Sequence, residues 1–179
     1  MSEEALWFAG RATGLVSLVL LTAVVVLGVL GVRRVASARW PRFAVGDLHR
    51  GVSLLAVAFL LVHVGAAVAG EHVDVPAVAA LVPFASGHRP VAVGLGAVAL
   101  DLLVAVLLTS ALRTRLPHRA WRAVHWAGYA LWPVALAHGL LLADVDSGVL
   151  PVVVLDVLCL AAVGISVAWR VAAPRKAAV

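Results

Sequence analysis

Four histidines stand inside apolar stretches of this chain: His49 and His63, fourteen residues apart, and His125 and His138, thirteen apart. Ionisable residues inside hydrocarbon are costly and mark function by default, and a neutral imidazole is a good metal ligand. At a rise of about 1.5 Å per residue each pair spans about 20 Å along a helix, which sets one histidine near each side of a bilayer. If the two carrier helices run in the same direction, His49 meets His125 at one level and His63 meets His138 at the other. Two imidazoles facing each other from two helices can hold one iron between them, and a planar porphyrin in each gap would satisfy all four. The expectation is two b-type haems, with His49, His63, His125 and His138 as ligands to the haem iron.

The elements that must position these residues are set by composition. Hydrophobic residues make up 64% of the 179 positions and charged residues 13%, too little polar surface to keep such a chain soluble. Five stretches approach the roughly 20 apolar residues that a crossing needs: 14–32, 48–69, 91–112, 120–143 and 149–169. The expected fold is therefore an all-α integral membrane bundle of five transmembrane helices, in one domain covering residues 1–179. Glu3 and Glu4 precede the first stretch where a leader would carry a basic cluster, so it reads as a retained helix. Helix 1 carries no ionisable residue within its span and reads as scaffold. Helix 2 is expected to open at Asp47, as its cap, or a turn or two earlier at Pro41. A short interfacial helix is expected within the apolar run from Val78 to Phe84.

Basic residues set the orientation. Arg33, Arg34, Arg39, Arg42, Arg50, Arg113, Arg115, Arg119, Arg122, Arg170, Arg175 and Lys176 all fall on one side, against only Arg11 and Arg89 on the other. The positive-inside rule then places the N-terminus outside and the C-terminus in the cytoplasm of a multi-pass cell-membrane protein. These residues read as topology signals beside apolar helices, so the net charge of +5 carries no expectation of nucleic-acid binding. Trp7, Trp40, Trp121 and Trp169 lie near expected boundaries and fit interfacial belts. The single cysteine, Cys159, excludes a disulfide framework or a cysteine-ligated cluster and reads as an apolar filler.

Several residues accompany the histidines. Gly51 and Gly65 each follow a helix 2 histidine by two positions, and Gly128 and Gly139 follow those of helix 4, leaving room for a macrocycle. Arg50 and Arg122 are placed either to meet the propionates of the inner haem or to act as positive-inside anchors. Asp101 and Asp156 either orient a ligand imidazole, with Asp156 at the better depth, or stay protonated as core hydrogen-bonders, or relay protons. His72, His88 and His118 lie in loops and read as solvated. A thirteen-residue spacing leaves His138 out of phase with His125 on an ideal helix, and Pro133 between them is the expected site of adjustment.

The segments Asp47-Leu48-His49-Arg50-Gly51, Leu61-Val62-His63-Val64-Gly65, Trp121-Arg122-Ala123-Val124-His125 and Ala137-His138-Gly139 resemble the ferric reductase-like transmembrane domain superfamily, which includes the membrane parts of ferric reductases and NADPH oxidases. The likeness runs from about residue 47 to 148. In the loop from Val82 to Pro90, at Asp101 and over 144–148 it is closer still to small actinobacterial members. It implies two bis-histidine haems stacked across the membrane and one-electron flow from a cytoplasmic donor to an outer acceptor. It implies a separate cytoplasmic flavoprotein as donor, with a membrane quinol as the alternative, since only ten residues follow Trp169 and no flavin or nicotinamide domain is expected on this chain. Two rivals use the same residues without haem: a proton-coupled or metal-ion transporter, and a structural membrane subunit.

Overall fold

The computed structural model describes residues 2–33, 41–70, 75–143 and 149–172, and among these every regular element is helical. The order is α1 (Glu3–Val32), α2 (Arg42–Ala69), α3 (Ala77–Leu81), α4 (Pro90–Ala111), α5 (His118–His125), α6 (Ala127–Leu142) and α7 (Val149–Ala172). Four of these, α1, α2, α4 and α7, are each long and apolar enough to cross a membrane. The fifth expected span is divided into α5 and α6 at Trp126, so it is not one continuous helix.

Local chemistry explains the boundaries. Ser2 Oγ accepts the Ala5 N–H at 3.3 Å, and Glu3 and Glu4 occupy the first turn, where the helix dipole favours acids. The helix therefore starts eleven residues before the apolar stretch that predicts it. Pro41 is the N-cap of α2, and Asp47 lies inside the helix rather than capping it, which settles the choice for the earlier start. The interfacial helix expected near Val78 is α3, five residues long after Pro76. The loop that follows is fixed by Ser86, whose Oγ donates to His88 O at 2.9 Å and accepts from His88 N at 3.1 Å. Phe84 (φ 66°) and Arg89 (φ 39°) take left-handed backbone there, and the Phe84 ring packs on Gly94, where any side chain would collide with it.

Trp126 keeps right-handed dihedrals (φ −65°, ψ −22°), but Tyr129 N bonds Trp126 O at 3.0 Å, three residues back rather than four. Such a tight turn advances the chain faster around the axis. That is the direction in which thirteen residues fall short of four whole turns. The adjustment expected at Pro133 thus lies at Trp126, while Pro133 sits within α6.

The apolar surface is turned outward. Phe43, Leu61, Leu150, Ile165 and Val171 are all more than two thirds exposed, as befits side chains solvated by lipid. The small core joins Leu18 and Leu21 of α1, Ala56 of α2, Trp132 of α6 and Cys159 of α7. Trp132 is tied across it by an Nε1–H bond to Thr22 Oγ1 at 2.9 Å. Helix α1 packs against α2, α6 and α7, and α4 packs against α3, α5 and α6. The two histidine-bearing segments, α2 and α5–α6, are therefore each backed by a long apolar helix, α1 behind the one and α4 behind the other. Of the basic residues used to read orientation, Arg34, Arg39, Arg175 and Lys176 lie outside the described residues, as do Trp40 and His72.

Candidate functional site

The four histidines form two cross-helix pairs. His63 and His138 have ring centres 6.1 Å apart with planes at 85°, and His49 and His125 have centres 6.4 Å apart with planes at 58°. His49 and His63 come from α2, His125 closes α5, and His138 lies near the end of α6.

Three of the rings are anchored by the backbone of a neighbouring helix. His63 Nδ1 lies 2.7 Å from Gly10 O and His49 Nδ1 3.1 Å from Val24 O, both on α1; His138 Nδ1 lies 2.7 Å from Ala92 O on α4. A carbonyl only accepts, so each Nδ1 carries the hydrogen and each Nε2 is left as the free lone pair. His125 differs. Its Nδ1 is buried with no hydrogen-bond partner among the described residues, and its ring stacks on Trp121, with centres 5.0 Å apart and planes at 25°. The Arg113 guanidinium stands 5.0 Å from the same indole.

The glycines that touch the imidazole rings are other than the four expected to leave room for a macrocycle, which face open space. A Cβ built on Gly51, Gly65, Gly128 or Gly139 meets nothing within 4 Å. Gly14 and Gly28 of α1 and Gly96 of α4 instead lie beneath His63, His49 and His138. Helix α1, read from sequence as scaffold alone, thus supports two of the four imidazoles. One sequence signal could have found it: Gly14 and Gly28 are fourteen residues apart, the spacing of His49 and His63 on the antiparallel neighbour.

The remaining candidate residues make no hydrogen bond to these rings among the described residues. Asp156 is buried on α7 and Asp101 is exposed on α4, and the Nδ1 atoms of His49, His63 and His138 are held by carbonyls. Arg50 and Arg122 are exposed. His88 is exposed in its loop, while His118 is the first residue of α5, 5.6 Å from the Trp121 ring. Among the described residues no three His, Cys, Asp or Glu side chains converge, so each candidate site is an imidazole pair. Beside the His63–His138 pair opens an apolar cleft lined by Leu60, Val64, Gly96, Leu100 and Ala135 as well as the two histidines.

No curated protein and no solved structure matches the chain. Residues 13–136 match the family described as the ferric reductase like transmembrane component, a stretch that takes in His49, His63 and His125 and ends two residues before His138. Covering well over half of the sequence, this match makes the chain a membrane protein of the ferric reductase-like transmembrane family.

Proposed function

We propose that this protein carries electrons across the membrane through two bis-histidine b-type haems, one held by His49 and His125 near the cytoplasmic side and one by His63 and His138 near the outside. The observation that carries the reading is the spacing of the rings. Metal–nitrogen bonds of about 2 Å, with each ligating nitrogen about 1.1 Å from its ring centre, put two trans imidazoles about 6.2 Å apart. The measured separations of 6.1 and 6.4 Å bracket that value. Anchoring of Nδ1 in three rings fixes the tautomer whose Nε2 is free to ligate.

A haem held by these histidine pairs would supply reversible one-electron exchange. The chain's part is to hold the rings, keep water from the gap with Leu60, Val64 and Leu100, and set the two levels about 20 Å apart along α2. Arg50 and Arg122 are free at the surface to meet propionates. In this reading α5 and α6 together make the fifth crossing, the N-terminus lies outside, and electrons pass from a cytoplasmic flavoprotein, or alternatively a membrane quinol, to an outer acceptor. The protein acts as an oxidoreductase or as an electron-transfer subunit of one, in the cell membrane.

Haem extraction and the visible spectrum of purified protein test this. Two non-covalent haems per chain and the split α/β bands of reduced bis-histidine haem are expected. A colourless protein would overturn the reading in favour of transport or a structural role.

A further inference from the structure

His49, His63 and His138 are each anchored to a carbonyl of a neighbouring helix, while His125 Nδ1 has no partner among the described residues. What aims His125 is therefore the chain that carries it. Trp121, on which its ring stacks, belongs to the same short helix α5 and turns with it. The residue after His125 is Trp126, whose carbonyl accepts from Tyr129 N and so begins the tight turn between α5 and α6.

That turn corrects length and phase together. At about 1.5 Å and 100° per residue, the thirteen residues from His125 to His138 would cover about 19.5 Å and end about 140° short of four turns. Three residues in 3₁₀ geometry, at about 2.0 Å and 120° each, stretch the segment to about 21 Å and recover about 60°. The fourteen residues from His49 to His63 on a regular helix also cover about 21 Å. The two pairs of rings accordingly meet at similar separations, 6.4 and 6.1 Å.

A single residue from another helix holds both ends of this turn. Residues three apart in such a turn stand one above the other, and the rings of Trp126 and Tyr129 lie 5.3 Å apart. The Arg170 guanidinium of α7 covers both, 4.5 Å from the Trp126 ring centre and 5.0 Å from that of Tyr129, and its Nη1 donates to Tyr129 Oη. Helix α7 in turn packs against α1, whose Val24 carbonyl holds His49. Arg170 thus connects the turn beside His125 to the helix behind His49.

We propose that Arg170 is a positioning residue for the His49–His125 pair, clamping Trp126 to Tyr129 so that the tight turn keeps His125 aimed at His49. This rests on the two-haem reading. Relaxation of the turn to regular helix would shorten the segment by about 1.5 Å and rotate His125 by about 60° against His138. A role confined to fastening α7 to the bundle would bear on both histidine pairs alike.

The test uses the full chain in nanodiscs, with haem per chain and the low-spin EPR spectrum as readouts and the inner signal identified as the one missing in His125→Ala. Arg170→Ala should lower haem content from two per chain to one with the outer signal in place, and Arg170→Lys, which keeps a cation and a donor, should retain more of the second haem. Tyr129→Phe keeps the ring and loses only the hydroxyl; it should hold two haems and shift the highest g value of the inner signal alone. One alanine inserted between Trp126 and Ala127 gives the segment the fourteen-residue spacing of α2 on a regular helix, and in the Arg170→Ala background it should restore the second haem. Two haems with an unshifted inner signal in Arg170→Ala, loss of both haems together, or an insertion that restores nothing overturns the proposal. Should Arg170→Ala fail to accumulate, an inner signal unmoved in Tyr129→Phe overturns it. Parental protein without haem would instead sink the functional reading itself.

Discussion

His63 and His138 face each other with ring planes nearly perpendicular, at 85°, while each ring is pinned through Nδ1 to a different helix. Neither ring can turn to match the other without giving up its carbonyl. Perpendicular axial planes leave the two upper-filled iron orbitals nearly equal in energy, which makes an oxidised low-spin haem strongly anisotropic. The outer site is therefore expected to give a low-spin EPR signal with a larger highest g value than the inner site, whose planes meet at 58°. Two indistinguishable low-spin signals would mean that the rings rotate on binding.

The pairing itself predicts which variants behave alike. His63→Ala and His138→Ala should each remove the outer haem, and His49→Ala and His125→Ala the inner one, measured as a fall from two haems per chain to one. Combining both changes within a pair should add little, because the residues act on one iron. Variants of His63 and His125 with the same spectrum would refute the level assignment.

Trp121 supports the one ligand that lacks a carbonyl. Offset stacking is worth about 0.5–1.5 kcal/mol and a cation–π contact about 0.5–1 kcal/mol, and Trp121→Leu removes both. Haem loss to a scavenging protein should accelerate on the order of tenfold at the inner site and not at the outer one, since about 1.4 kcal/mol is a factor of ten. Trp121→Phe should fall between. Equal acceleration at both sites would show a general loss of stability.

The histidine pairs and the apolar spans were legible in the sequence because ionisable groups in hydrocarbon stand out against their surroundings. The contribution of α1 was not, because it is made by the carbonyls of Gly10 and Val24, and every residue has a carbonyl. Side-chain type marks such a contact only through the residue that must be absent, here Gly14 and Gly28. The glycines next to the histidines drew attention as room for a macrocycle, and a Cβ at Gly51 or Gly65 would meet open space. Trp126 breaks the helix with ordinary right-handed dihedrals, whereas Pro133, the louder signal, is accommodated inside α6. Asp156 matched the depth of the outer histidines but lies on α7, and depth along a helix says nothing of which neighbour it faces.

Under the proposed two-haem reading, charge makes the His49–His125 end the expected place of electron entry. Arg113, Arg115, Arg119 and Arg122 are exposed around the connection between α4 and α5, beside the indole on which His125 stacks. The 179 residues contain no Gly-rich dinucleotide fingerprint after a strand, so NADPH alone should not reduce the haems of this chain. An acidic flavoprotein would be steered by the cationic rim, and screening by salt with a Debye length of about 10 Å at 0.1 M would weaken that steering. Stopped-flow reduction in nanodiscs made of neutral lipid, which removes competition from anionic headgroups, should therefore show a second-order rate that falls as ionic strength rises. Reversing two of the charges, Arg115→Glu with Arg119→Glu, should slow the low-salt rate on the order of tenfold and flatten its salt dependence, with haem content unchanged. A quinol donor would give a rate indifferent to both salt and these substitutions. Rapid reduction by NADPH in protein shown to be free of flavin would exclude a separate donor altogether.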